Sequence, residues 1–356
     1  MTTIAREDNN SQVQVQVAVG VDTHRDTHTA AVIDSTGRLL GSAQFTADAA
    51  GYRSLLEWTV TFGVLLIAAI EGTGAYGAGL ARYLSSEGVD LVEIDRPNRR
   101  IRRLAGKSDP IDAEAAARAG LARARTGTPK DRTGKVEALR NLRVARRSAI
   151  DQRADCIRRI KTLLITAPDE LRERLRHLTG QHLLQACAHL RPDLARAGEP
   201  IHATKIALRA LGRRHAVLTA EIDELDSVIA PLVASINPTL LTLTGVGPDV
   251  AGQLLVTAGE NAHRLHSEAA FAMLCGVAPL PASSGRTHRH RLNRGGDRQA
   301  NAALYRIVIC RLRWDPRTLA YVARRTQEGL SKKEIIRCLK RLIAREIYYT
   351  ITTRHP

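Results

Sequence analysis

Two aspartates stand three residues apart in "GKSDPIDAEAAARAG", Asp109 and Asp112, in a chain whose formal net charge is +17. Residues three apart on a helix are neighbours, so both carboxylates can face the same way. One reading is a helix start: Asp109 as N-cap, Pro110 at the first helical position and Asp112 in the first turn, where the helix dipole favours an anion. The other is half of a metal site. Choosing between them requires further acids from elsewhere in the chain. Asp22 closes the apolar run "VQVAVGVD" and Glu71 closes "GVLLIAAIE". Four carboxylates in one pocket repel one another unless cations neutralise them. A ligand set made only of oxygens suits Mg²⁺ or Mn²⁺. Two such ions ~3.5–4 Å apart can activate a nucleophile and stabilise a leaving oxygen at phosphorus. Asp26 reads as a turn residue and Asp95 as a strand-end loop residue.

The elements that must carry these acids are legible in the apolar pattern. Residues 13–46 alternate as a three-stranded meander with the turn "STGR". A helix over roughly 47–62 follows, from the spacing of Tyr52, Leu55, Leu56 and Val60. "GVLLIAAIEG" and "VDLVEID" are continuous apolar runs, as central strands covered on both faces would be. The order β-β-β-α-β-α-β-α matches a ribonuclease-H-like mixed sheet, in which the first and fourth strands are adjacent. The ends of those strands can then meet, with the helix that opens at Asp109 alongside.

Beyond about residue 129 the pattern is helical and highly charged. Two long amphipathic segments, "VEALRNLRVARRSAIDQRADCIRRIKTLLI" and "KIALRALGRRHAVLTAEIDELDSVIAPLVASI", predict an antiparallel, coiled-coil-like pair around a Pro- and Leu-containing insertion at 168–200. Scaffold or dimer contact is their simplest role. "LLTLTGVGPDVAGQLLVTAGE" has the form of a helix-hairpin-helix, whose turn at Gly245 and Gly247 and following helix N-terminus can hold a DNA phosphate; an ordinary turn between helices is the alternative. The expected organisation is a polar leader over 1–14, an α/β domain over 15–128, a helical middle over 129–236 and a mainly α C-terminal domain over 237–356.

Composition narrows the partners. A strong positive balance over 356 residues argues for a polyanion, and nucleic acid is the usual one. The run "RPNRRIRRLAGK" offers Arg99, Arg100, Arg102, Arg103 and Lys107 as a cradle beside the acids. No apolar run reaches the length of a membrane span, and no signal peptide is visible. The five cysteines form no CxxC pair, which fits a reducing compartment; with the basic charge, the expected location is the prokaryotic cytoplasm, associated with the nucleoid.

Five stretches occur in one order: "VGVDTHRDTHTAAVID", "AIEGTGAYG", "KSDPIDAEAAAR", "LTGVGPDVAGQLL" and "CGVAPLPASSGRTHRHRLNRGGDRQANAALYR". Together they resemble the DEDD transposases of the insertion-sequence one-ten family, the bridge-RNA-guided recombinases, from about Val15 to Ile351. The resemblance implies a RuvC-like domain whose four acids correspond to Asp22, Glu71, Asp109 and Asp112. It also implies a coiled-coil region and a C-terminal domain with a nucleophilic serine. That serine precedes glycine and maps onto Ser284, with Ser283 the near alternative. The implied chemistry is DNA cleavage and religation through a covalent phosphoserine, with the metal site and serine contributed by different subunits of a dimer or tetramer. The resemblance further implies a noncoding bridge RNA, encoded beside the gene, that pairs with donor and target DNA. Arg286, Arg289, Arg291 and Arg294 can meet phosphate charge, and His288 and His290 can move protons near neutral pH. A solvated, phosphate-contacting loop is the plainer reading of the same run. In one departure, the family often carries "KRGN…LR" after the serine loop, whereas Asn301 stands here where arginine is common.

Two other functions share parts of this evidence. A metal-dependent nuclease or junction resolvase needs the same four acids but uses water as nucleophile. A non-catalytic architectural factor needs only the charge and the hairpin motif.

Overall fold

The computed structural model describes residues 15–94, 108–124, 126–285 and 290–353. The expected leader, the cradle residues Arg99, Arg100, Arg102, Arg103 and Lys107, and also Asp95, Arg286, His288 and Arg289, lie outside the described residues. The chain divides into two compact units. One runs to Thr133 and includes Gly259–His266; the other comprises Gly134–Ala258 and the chain from Ser267 onward.

The first unit is a mixed six-stranded sheet with helices. Its strands are β1 (Gln16–Thr23), β2 (Thr27–Asp34), β3 (Leu39–Thr46), β4 (Val64–Glu71), β5 (Leu91–Ile94) and the short β6 (Thr126–Gly127). They lie in the order β3-β2-β1-β4-β5-β6. β1, β2 and β3 pair antiparallel, as hairpin-connected strands do, and β4 runs parallel to both β1 and β5. β1 is therefore next to β4, as the element order predicts. β6, two residues long, has no hydrophobic pattern from which it could have been read.

Alternation along the central strands sorts residues onto two faces. Val17, Val19 and Val21 of β1 and Ala68 and Ile70 of β4 pack with Leu55 of α1 (Ala49–Val60) and Leu80 and Leu84 of α2 (Ala78–Ser86). Ala18 of β1 and Ile67 and Ala69 of β4 face Ala116 and Ala117 of α3 (Asp109–Leu121). Small residues let α3 lie close to the sheet. A Cβ on Gly20 would come 2.1 Å from both the Ala113 carbonyl oxygen and the Ala117 nitrogen. On the helix side, a Cβ on Gly120 would come 2.5 Å from that of Ala69.

The second unit is almost wholly helical. Its long helices α4 (Lys135–Ile165) and α7 (Pro200–Ile236) pack along each other. Arg146 bonds Asp226 and Arg153 bonds Thr219, so the pairing partner moves backwards along α7 as α4 advances: the helices are antiparallel. The insertion between them forms α5 (Asp169–Leu175) and α6 (Gly180–Ala188), whose leucines close one end of the pair with Ile160 and Leu208. The chain then forms α8 (Pro238–Thr242), α9 (Pro248–Ala258), α10 (Glu268–Leu274), a hairpin of β7 (Leu280–Pro281) and β8 (His290–Arg291), α11 (Arg298–Trp314), α12 (Pro316–Gln327) and α13 (Lys332–Thr352). Among the described residues no helix is long and apolar enough to cross a membrane. All five cysteines are free.

Candidate metal centre and serine hairpin

Strand parity puts two of the acids on one face of the sheet. Asp22 continues the face of Ala18 and Gly20, and Glu71 continues that of Ile67 and Ala69, so both belong to the side covered by α3. Val21 pairs with Ile70, which sets Asp22 and Glu71 level on neighbouring strands. The Thr23 hydroxyl donates to the Glu71 carbonyl at 2.8 Å and ties the two strand ends. Asp109 and Asp112 lie in the first turn of α3.

The helix begins differently from the capping reading. The first helical bond runs from the Asp112 N–H to the Ser108 carbonyl at 3.0 Å, which makes Ser108 the N-cap and Asp109 the first helical residue. Pro110 sits second, where its missing N–H is equally harmless. Asp109 is thereby released from capping, and its carboxylate turns to a side chain not singled out in the sequence. His24 Nε2 lies 3.3 Å from Asp22 Oδ2 and 3.3 Å from Asp109 Oδ1. These three ligand atoms all fall within 4.8 Å of one another, the one such group among the described residues. His24 stands two residues after Asp22 in "DTHRDTH", at the start of the turn joining β1 to β2.

Asp22 and Asp112 are buried, at 9% and 3% exposure. Burial pushes the Asp22 carboxyl up from its ordinary value; Asp109 and Asp112 add to the rise, and His24 opposes it. A desolvated carboxylate among other carboxylates is an environment that a cation relieves. Carboxylate oxygens with one imidazole nitrogen are a ligand set a divalent ion accepts.

Ser284 lies in the other unit, between the two strands of the β7–β8 hairpin. Leu280 pairs with Arg291 and Pro281 with His290. Ser283, Ser284 and Gly285 are all exposed, and Gly285 takes the left-handed conformation (φ +53°) that glycine tolerates best. Arg291 and Arg294 are exposed on the same segment. Beside the hairpin is a cavity of about 640 Å³ whose lining includes Arg291, Arg325, Arg337 and Lys340, against the one acid Glu334. Burial, with Arg337 nearby, lowers the Lys340 ammonium from its ordinary value.

Asn301 has a clear task. Its Nδ2 donates to the carbonyls of Cys275 and Gly276, at 3.2 and 2.9 Å, while its Oδ1 accepts from Lys340 Nζ at 2.8 Å. It locks the end of α10 to α11 and α13. At the α8–α9 turn, Gly245 needs its left-handed φ of +82°, whereas Gly247 is exposed with open space over its α-carbon. Asp249, the second residue of α9, is an ion-pair hub. It takes Arg143 at 2.9 Å, Arg146 at 3.2 Å and Arg306 at 2.6 Å, joining α4, α9 and α11.

Sequence comparison agrees with the residue order. Residues 19–168 match the family model of the DEDD transposases of IS110, described as "Transposase". Residues 237–323 match that of the "Transposase IS116/IS110/IS902 family". The four acids fall within the first match and Ser284 within the second. An IS900 insertion-element protein of Mycobacterium paratuberculosis, described as an uncharacterized 42 kDa protein, is 25% identical over 91% of this chain and 93% of its own length. An IS110 insertion-element protein of Streptomyces coelicolor, described as an uncharacterized 43.6 kDa protein, is 30% identical over 42% of this chain and 33% of its own. With both family domains in order on one chain, the protein belongs to the IS110 family of insertion-sequence transposases, enzymes that cut and rejoin DNA.

Proposed function

We propose that this transposase is an RNA-guided recombinase, which moves its insertion sequence through a covalent phosphoserine at Ser284. The observation that carries the reading is the grouping of Asp22 and Asp109 with His24, with Asp112 in the same first turn of α3 and Glu71 level with Asp22 on the neighbouring strand, in a chain with an exposed serine hairpin. The first unit is a RuvC-like, ribonuclease-H-like domain, which the β3-β2-β1-β4-β5 order supports. The four acids would hold Mg²⁺ or Mn²⁺, which when bound stabilises charge on the phosphoryl oxygens.

The chain's own residues supply the rest. Ser284 Oγ gives up its proton and forms a bond to phosphorus as the bond from phosphorus to one DNA oxygen breaks. A hydroxyl of a second strand then attacks the same phosphorus and releases the serine, so phosphodiester bonds are conserved and no external energy source is consumed. Arg291 and Arg294, with Arg286 and Arg289, counter charge on the transferring group. A noncoding bridge RNA selects donor and target DNA by pairing. The acids and the serine that act together come from different copies in a dimer or tetramer.

Two experiments test this. Protein expressed with its native flanking DNA should co-purify with one discrete RNA from that flank; only mixed cellular RNA, removable by salt, contradicts guidance. Asp22→Ala and Ser284→Ala should each abolish strand exchange in a donor–target plasmid assay. Normal exchange by Ser284→Ala removes the phosphoserine and favours a nuclease that uses water.

A further inference from the structure

We infer that His24 is a nitrogen ligand of the metal centre, forming with Asp22 and Asp109 a mixed triad that selects Mn²⁺ over Mg²⁺. This rests on the metal-site reading above and adds a residue outside the four acids.

The geometry argues for a ligand rather than a hydrogen-bond donor. Nε2 stands 3.3 Å from a carboxylate oxygen on either side. One N–H reaches both only as a long, bent three-centre bond, whereas charge-assisted N–H···O bonds are shorter, ~2.7–2.9 Å. Donors ~2.1 Å from an octahedral ion are instead ~3 Å apart along each edge of the octahedron. Three donor atoms within 4.8 Å of one another, from two segments (the end of β1 with its turn, and the first turn of α3), can close onto one face of such a shell. The backbone supports the position: the His24 N–H donates to the Thr27 carbonyl at 3.1 Å, closing the β1–β2 turn and holding the ring beside Asp22. The side chain is 46% exposed, so an ion and its remaining waters can reach it. Imidazole is a ligand of first-row transition ions, whereas Mg²⁺ keeps to oxygen, so a nitrogen in the shell tilts selection towards Mn²⁺.

The test is electron spin-echo spectroscopy of Mn²⁺ added to the full-length protein, read beside Mn²⁺ titration with Mg²⁺ as competitor. The wild type should show ¹⁴N modulation from a directly bound imidazole. His24→Ala should lose that modulation, keep its fold, and bind Mn²⁺ about tenfold or more weakly, as removal of even an outer partner of a metal site does. Its Mg²⁺ affinity should change far less. If Mn²⁺ binds in an Asp22-dependent way without ¹⁴N modulation, or the modulation survives His24→Ala, the nitrogen ligand is wrong and the carboxylate site stands. If Mn²⁺ binding is absent, or is the same in wild type and Asp22→Asn, the metal-site reading fails as well.

Discussion

Single side chains decide what this molecule can do, and several do so through their hydrogen-bonding inventory. Asn301 is the plainest case. Both protons of its amide go to carbonyls and its oxygen takes a lysine, so it needs an acceptor and donors on one short side chain. Arginine has no acceptor and would face Lys340 with like charge. Asn301→Arg is therefore expected to lower the melting temperature by about 4–8 °C, the equivalent of roughly 2 kcal/mol in a unit of this size. A thermal scan checks it; an unchanged midpoint with tighter DNA binding would mean that the position is a phosphate contact after all. The acids were legible at this scale because each ends a strand or begins a helix, where apolar patterning stops and a lone carboxylate stands out. His24 was not, since a histidine in a polar turn looks like any solvated loop residue until Asp109 arrives beside it from 85 positions away.

At the scale of elements, parity and close packing set the site. Alternation along β1 and β4 assigns Asp22 and Glu71 to one face, and Gly20 lets α3 descend onto it. Strand order, the meander and the long helix pair were readable from period and run length. The start of α3 was read one residue late, because Pro110 is as acceptable at the second helical position as at the first. The Asp249 hub was not readable, since its arginine partners lie on helices remote in sequence. Those arginines hold the Asp249 carboxylate below its ordinary value against the effect of burial. A depressed folded-state value means that this stabilisation is complete above the unfolded carboxylate range and is lost as pH falls through about 4 and below. Asp249→Asn should cost about 1.5–3 kcal/mol at pH 7, the worth of charged hydrogen bonds. That deficit should shrink at pH 3. Urea unfolding at the two pH values measures it, and an equal deficit at both would mean that the carboxylate's charge is not what joins the helices.

For the whole molecule, a large positive charge, two family domains in sequence and a division of chemistry between two compact units define the account. The four carboxylates belong to the α/β unit and Ser284 to the helical one, and the proposed mechanism joins them in one site built from more than one copy. Charge and motif order were plain in the sequence; the exposure of the serine hairpin needed the fold, because "ASSGR" has the composition of a linker. The most direct test is to incubate the protein, carrying its co-purified RNA and Mn²⁺ or Mg²⁺, with labelled donor and target DNA, quench under denaturing conditions, and map any protein–DNA adduct by mass spectrometry. The account predicts a phosphodiester-linked peptide containing Ser284, absent from Ser284→Ala and from Asp22→Ala. DNA cleavage without an adduct, retained in Ser284→Ala, would contradict it and leave a water-using nuclease in its place.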